Sequence, residues 1–156
     1  MDQTSPHGEF LSRFPERLRT KMLSLGHPFH YRSGQTIFIE GDSSRYLYLV
    51  KRGRVGLAAQ VPGRGPVTFM TVSPGEIFSW SALSRERVET ATARALEDVD
   101  VLGFRGDQLE DVAWEDPQMG LELYRGVMEA LSARLIATRL QLASASGAEA
   151  KPDRAA

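Results

Sequence analysis

Between His27 and Phe104 the chain is punctuated by turn-forming pairs every 8–12 residues or so, and this spacing constrains the fold more than any other feature. Ser33-Gly34, Gly41-Asp42, Arg52-Gly53, Pro62-Gly63-Arg64-Gly65 and Pro74-Gly75 mark the turns. The segments they separate are too short for helices. They read as strands: His27–Arg32, Gln35–Glu40, Tyr46–Lys51, Val55–Val61, Val67–Val72, Thr90–Leu96 and Val99–Phe104. Apolar alternation is weak in Thr36–Glu40 and clearer in Thr90–Leu96. Short strands joined by tight turns predict an antiparallel sandwich or barrel.

Helical periodicity flanks this region. Phe10, Leu11, Phe14, Leu18, Met22, Leu23 and Leu25 recur mostly at steps of three and four, which predicts an amphipathic helix over Glu9–Leu25. Pro15 divides it into two pieces and Gly26 stops it. Asp107–Trp114 reads as a short helix. Asp116 at an N-cap and Pro117 in the first turn then open a long helix expected to reach about Ala143. The expected organisation is a loose arm over residues 1–8, one domain over 9–143, and a small, polar, disordered tail over 144–156.

The long helix carries two apolar stripes. Leu121, Tyr124, Met128, Leu131, Leu135, Thr138 and Leu142 alternate steps of three and four over three heptads, the pattern of a coiled-coil seam. Leu123, Val127, Ala130 and Ala137 lie on a neighbouring face. A helix with two apolar faces needs two partners. One face covers the β domain, and the other pairs with the same helix of a second chain in a two-fold homodimer.

Composition removes several function classes. The chain of 156 residues has no cysteine, so disulfides, thiolate zinc, iron–sulfur clusters and thiol catalysis are out. With 19 basic and 20 acidic residues there is no overall field to hold nucleic acid or an anionic membrane. No stretch approaches the ~18 apolar residues of a membrane span, and the N-terminus lacks signal-peptide order. A soluble, cytoplasmic protein is expected. His27 and His30 stand three apart in a strand and point to opposite faces, a poor metal pair; no metal site is expected. No nucleophile elbow, P-loop or dinucleotide fingerprint occurs, so no catalytic residues and no enzyme are expected. The carboxylates Asp107, Glu110, Asp111, Glu115 and Asp116 read as a solvated helix face.

The order and spacing of four motifs resemble a known family. They are Gly34-Gln-Thr-Ile37-Phe-Ile-Glu-Gly41-Asp42, then Tyr46-Leu-Tyr-Leu-Val50 with Lys51-Arg-Gly53-Arg-Val55, then Pro74-Gly75-Glu76-Ile77-Phe78, and Ala91-Thr92-Ala93-Arg94-Ala95. Over residues 8–143 or so the chain resembles a cyclic nucleotide-binding domain of the catabolite-activator/FNR regulator superfamily. The resemblance implies a mainly β fold with flanking helices. That fold is an antiparallel β-roll, a cupin-like jelly roll, with an N-terminal helix and a long C-terminal dimerisation helix. Family regulators carry a helix-turn-helix after that helix. The 14 residues following Leu142 are too few and too polar to form one, so no direct DNA binding is expected.

The resemblance also implies a ligand site. In the family a short helix follows Gly-Glu, the cyclic phosphate sits at its N-terminus, the Glu takes the ribose hydroxyl, and an Arg ahead of the last strand pairs with the phosphate. Mapped here, the expected ligand-binding residues are Gly75, Glu76, Ile77, Phe78, Ser79, Trp80, Ser81, Arg85, Arg87, Glu89, Thr90 and Ala91. Glu76 matches the ribose carboxylate. Ser79 and Ser81 are placed to cap the helix or touch the ligand, and Trp80 to fill the space beneath it. Glu89 falls where the arginine belongs, and the interval from Glu76 to it is about three residues longer than usual. At ~4 Å and an effective dielectric constant of ~20, exchanging attraction for repulsion there costs several kcal/mol. Two readings follow. Either Arg85 or Arg87 swings in and the site takes cAMP, cGMP or a cyclic dinucleotide, or the pocket has changed or lost its ligand. The corresponding functions are a non-enzymatic ligand-sensing module that signals to a partner protein, and an interaction protein with a vestigial pocket.

Overall fold

A computed structural model of the protein describes residues 9–149. A 3₁₀ turn over Phe10–Arg13 precedes helix α1, Glu16–Leu25, and the break between them falls at Phe14-Pro15, as the proline requires. Eight strands follow: β1 His27–Tyr31, β2 Thr36–Phe38, β3 Tyr46–Arg52, β4 Val55–Val61, β5 Gly65–Val72, β6 Ile77–Phe78, β7 Thr92–Ala95 and β8 Val99–Arg105. Helices α2, Gly106–Glu115, and α3, Pro117–Glu149, close the chain. Asp116 caps α3 as expected, its Oδ1 accepting from the Met119 amide at 3.1 Å. The helix continues past Ala143 to Glu149, because Ser144–Ala148 contains no proline and its lone glycine is tolerated. The expected arm over 1–8 and the last part of the expected tail, 150–156, lie outside the described residues.

The strands form two four-stranded antiparallel sheets, ordered β1-β8-β3-β6 and β2-β7-β4-β5, packed as a jelly roll. Strand β6 is the one strand that the spacing of turns did not indicate. Between the sheets lie Tyr48, Val50, Val55, Leu57, Val72, Phe78, Ala91, Ala93, Ala95, Val99 and Val101. A second core fills the space between the first sheet and the helices, with Phe10, Phe14, Leu18, Met22, Leu47, Leu49, Phe104, Leu109, Leu123 and Val127. Strand β3 therefore contributes alternate residues to both cores.

Helix α3 is seated by close approaches. A Cβ added at Gly126 would lie 2.6 Å from Phe14 Cζ, and one at Gly120 would lie 2.6 Å from Ala113 Cβ of α2. The inner stripe is covered as expected, with Leu123 and Val127 buried. On the outer stripe Leu121, Tyr124, Met128, Leu135 and Leu142 are exposed, while Leu131 and Thr138 are half-buried.

Candidate functional site

The cassette spans Gly75 to Ala91. Gly75 turns the chain at φ +87° and is held on both sides: its N–H donates to the Val50 carbonyl at 2.8 Å, and its carbonyl accepts from the Phe10 N–H at 2.9 Å. Ile77 and Phe78 then pair with β3 and point to opposite cores. Trp80–Leu83 form only a single 3₁₀ turn, too short for a useful dipole. Ser79, directly before it, is left-handed at φ 62°, a conformation that glycine adopts more cheaply.

Glu76 lies away from the cassette turn. The residue that opens the cassette turn after the left-handed position is Trp80, and Glu76 stands four residues earlier, on the far side of β6. Glu89 follows Trp80 by nine residues. Glu76 faces α3 instead. Its Oε2 lies 2.6 Å from Arg134 Nη2, and its Oε1 accepts from the Ser73 amide at 3.1 Å. Arg134 also donates to the Thr71 carbonyl at 3.4 Å. The cleft between the cassette, the N-terminal turn and α3 is lined by Phe10, Arg13, Gly75, Glu76, Trp80 and Arg134 and encloses about 40 Å³. That is room for water molecules and far below the hundreds of Å³ of a nucleotide pocket.

Glu89 is turned inward and is only 5% exposed. Ser79 Oγ donates to its Oε1 at 2.5 Å, Ser44 Oγ lies 3.1 Å from Ser79 Oγ, and Ser44 also bonds to the carboxyl. The Glu89 backbone is pinned as well, donating to the Asp42 carbonyl at 2.9 Å and accepting from Gly41 N–H at 2.8 Å. Burial pushes the Glu89 carboxyl above the ordinary carboxylate range. The two serine hydrogen bonds oppose the shift and the charge of Asp42 adds to it. Neither serine caps the cassette turn: Ser79 has no side-chain cap bond, and the Ser81 carbonyl accepts from Ser84.

Neither arginine swings in to replace the missing one. Arg87, itself at φ 48°, pairs outward with Glu110 of α2. Arg85 and Thr90 are exposed, and Ala91 is buried in the inter-sheet core. Trp80 is half-buried against the helical core. Next to Glu89 the interior is aromatic: Tyr48 stacks on Phe78 at 5.0 Å and on Phe38 at 6.3 Å, and Phe29 meets Tyr48 edge-on at 6.0 Å. Burial, helped by Tyr31, pushes the Tyr48 hydroxyl far up.

Two residues of the site went unnoticed in the sequence. Arg134 sits between Val127, Ala130 and Ala137 on the inner stripe, and a lone charge on an apolar face was the signal for it. Ser44 carried no signal. His30 forms no metal pair with His27; its Nδ1 bonds to Asp100 Oδ1 at 2.7 Å. Among the described residues no three His, Cys, Asp or Glu side chains gather as a metal site, and no helix is long and apolar enough to cross a membrane.

A jelly roll with a cassette between β6 and β7 and a long helix packed over it defines a regulatory module of the ligand-binding β-roll class. The chain belongs to the cyclic nucleotide-binding domain family, whose profile matches residues 28–116. It is 39% identical over 80 residues to the Cyclic AMP receptor protein of Thermus thermophilus, covering 51% of this chain and 37% of that protein. The crystal structure of Thermus thermophilus catabolite activator protein superposes with a TM-score of 0.71 at 26% identity, over 88% of this chain and 62% of that one. A cyclic nucleotide-binding domain from Methylobacillus flagellatus gives 0.76 at 20% identity, over 82% and 72%. The match spans well under half the length of that curated relative.

Proposed function

We propose that this chain is a non-enzymatic regulatory module whose cassette is occupied by its own carboxylate and does not take a cyclic nucleotide through the phosphate–arginine contact of the family. It works as a homodimer through the α3 seam and passes its state to a partner protein. Glu89 carries this reading: an inward carboxylate, held by Ser79 and Ser44, stands where a cyclic phosphate needs a positive charge. We place the family's Gly-Glu pair at Ser79-Trp80, where the left-handed Ser79 leads into the cassette turn, and an indole there cannot accept a hydroxyl proton. The name of the Thermus relative favours cAMP, and that remains the second reading.

Titration calorimetry with cAMP, cGMP and cyclic di-GMP tests the proposal. The wild-type protein is expected to give no binding heat up to about 100 µM. Glu89→Arg places a guanidinium beside Ser79 and is expected to create micromolar cAMP binding. Micromolar binding by the wild type overturns the proposal, and no gain in the variant overturns the assignment of position 89.

A further inference from the structure

Among the described residues the most exposed large apolar side chain is Trp114, 78% exposed at the end of α2. An indole left in water at that level is uncommon and marks contact surfaces. Its neighbours fix its direction. Ala113 packs on Gly120, and Glu110 stands beside Tyr124, close enough for its charge to act on the phenol. Moving around α3 from Gly120 to Tyr124 is moving toward the seam. Moving around α2 in the same sense passes Ala113, then Glu110, then Trp114, one turn on from Glu110. Trp114 therefore flanks the mouth of the seam next to Leu121.

The seam alone is small for a stable dimer. Its exposed side chains are Leu121, Tyr124, Met128, Leu135 and Leu142, where stable interfaces use about 20–30 residues a side. We propose that α2 belongs to the dimer interface, with Trp114 as its anchor against the second copy of this chain. The inference rests on the dimer reading above and extends it: the interface is a four-helix surface of two α2 and two α3 helices. In a parallel pairing the flank that meets Trp114 presents Gln118 and Arg125 of the partner subunit, and a guanidinium stacks well on an indole. The same α2 face holds Glu110, the ion-pair partner of Arg87 at the end of the cassette loop. Cassette and interface thus share one helix.

Sedimentation of the full chain tests this. W114A, at an exposed site, is expected to raise the dimer dissociation constant at least about tenfold without changing the circular dichroism. In a W80F background Trp114 is the sole tryptophan, and its emission is expected to shift to the blue as rising concentration drives dimerisation. Leu131→Glu in the seam separates the two ideas. If Leu131→Glu dissociates the dimer while W114A leaves the constant within twofold and the emission stays solvent-like, the role of α2 is refuted and the seam stands. A wild-type protein that is monomeric at every concentration refutes both.

Discussion

Gly126→Ala tests how α3 is seated, because the sign of its effect is diagnostic. On an unpacked helix the substitution stabilises by about 1 kcal/mol, since alanine loses less backbone entropy than glycine. Here the new methyl would lie 2.6 Å from Phe14 Cζ and nearer still to Cε1. Ordinary contact begins near 3.4 Å, so helix or ring must move by about 1 Å. Phe14 has little room to retreat: it is buried and braced edge-on by Phe10, with ring centroids 4.9 Å apart. Overpacking of this kind costs about 1–3 kcal/mol, and the braced ring argues for the upper half. The net expectation is a loss of about 1–2 kcal/mol, or roughly 3–8 °C in Tm. Gly147→Ala is the internal control, because nothing lies within 4 Å of its added Cβ, and Tm there should hold or rise. Thermal and urea denaturation of both variants, with Phe14→Leu added to Gly126→Ala as a rescue, measure the difference. A Tm for Gly126→Ala that rises like that of Gly147→Ala would refute the seating of α3 on Phe14.

Three further outcomes are expected. Glu89→Gln should raise stability at neutral pH. The folded carboxyl has a pKa above its unfolded value of 4.5, so below 4.5 both states keep the proton and nothing is lost. As pH climbs from there through the folded pKa, ionisation favours the unfolded chain, and the glutamine variant escapes that loss. Its advantage, read from Tm against pH, should vanish at acid pH; an advantage independent of pH would contradict the burial argument. Arg134→Ala removes the half-buried partner of Glu76 and should cost about 2 kcal/mol in urea denaturation, with Arg134→Lys recovering part of it. A change under about 0.5 kcal/mol would show that the pair does not hold α3 to the cassette. Arg87→Ala breaks an exposed pair with Glu110 and should leave Tm within about 2 °C.

Much of the fold was legible because glycine and proline mark turns by sterics alone, which neighbours do not change. Gly34, Gly41, Gly53, Gly63 and Gly75 all have positive φ, as turns of this kind require. Strand β6 was not legible: two residues carry no period, and Ile77-Phe78 is buried on both sides. The end of α3 was misjudged because Ser144 and Ser146 signal a tail only where nothing upstream propagates a helix. At the site, the inward turn of Glu89 was unreadable. It depends on Ser44, which reaches it from a loop 45 residues away in the chain. The backbone at the entry to the cassette turn was unreadable as well. Ser79 takes a left-handed φ that a serine does not announce.

Strand β3 is a party wall. Leu47 and Leu49 serve the helical core, and Tyr48 and Val50 serve the roll. Sliding it by one residue against β8 would send an aromatic phenol toward the helices and leucines into the roll, spoiling both layers at once. Most strands risk one face in such an error, and this one risks two. The wall therefore acts as a proofreader during folding: pairings of β3 with β8 that are off by one find no compensating half-solution, and only the native alignment is deep enough to persist.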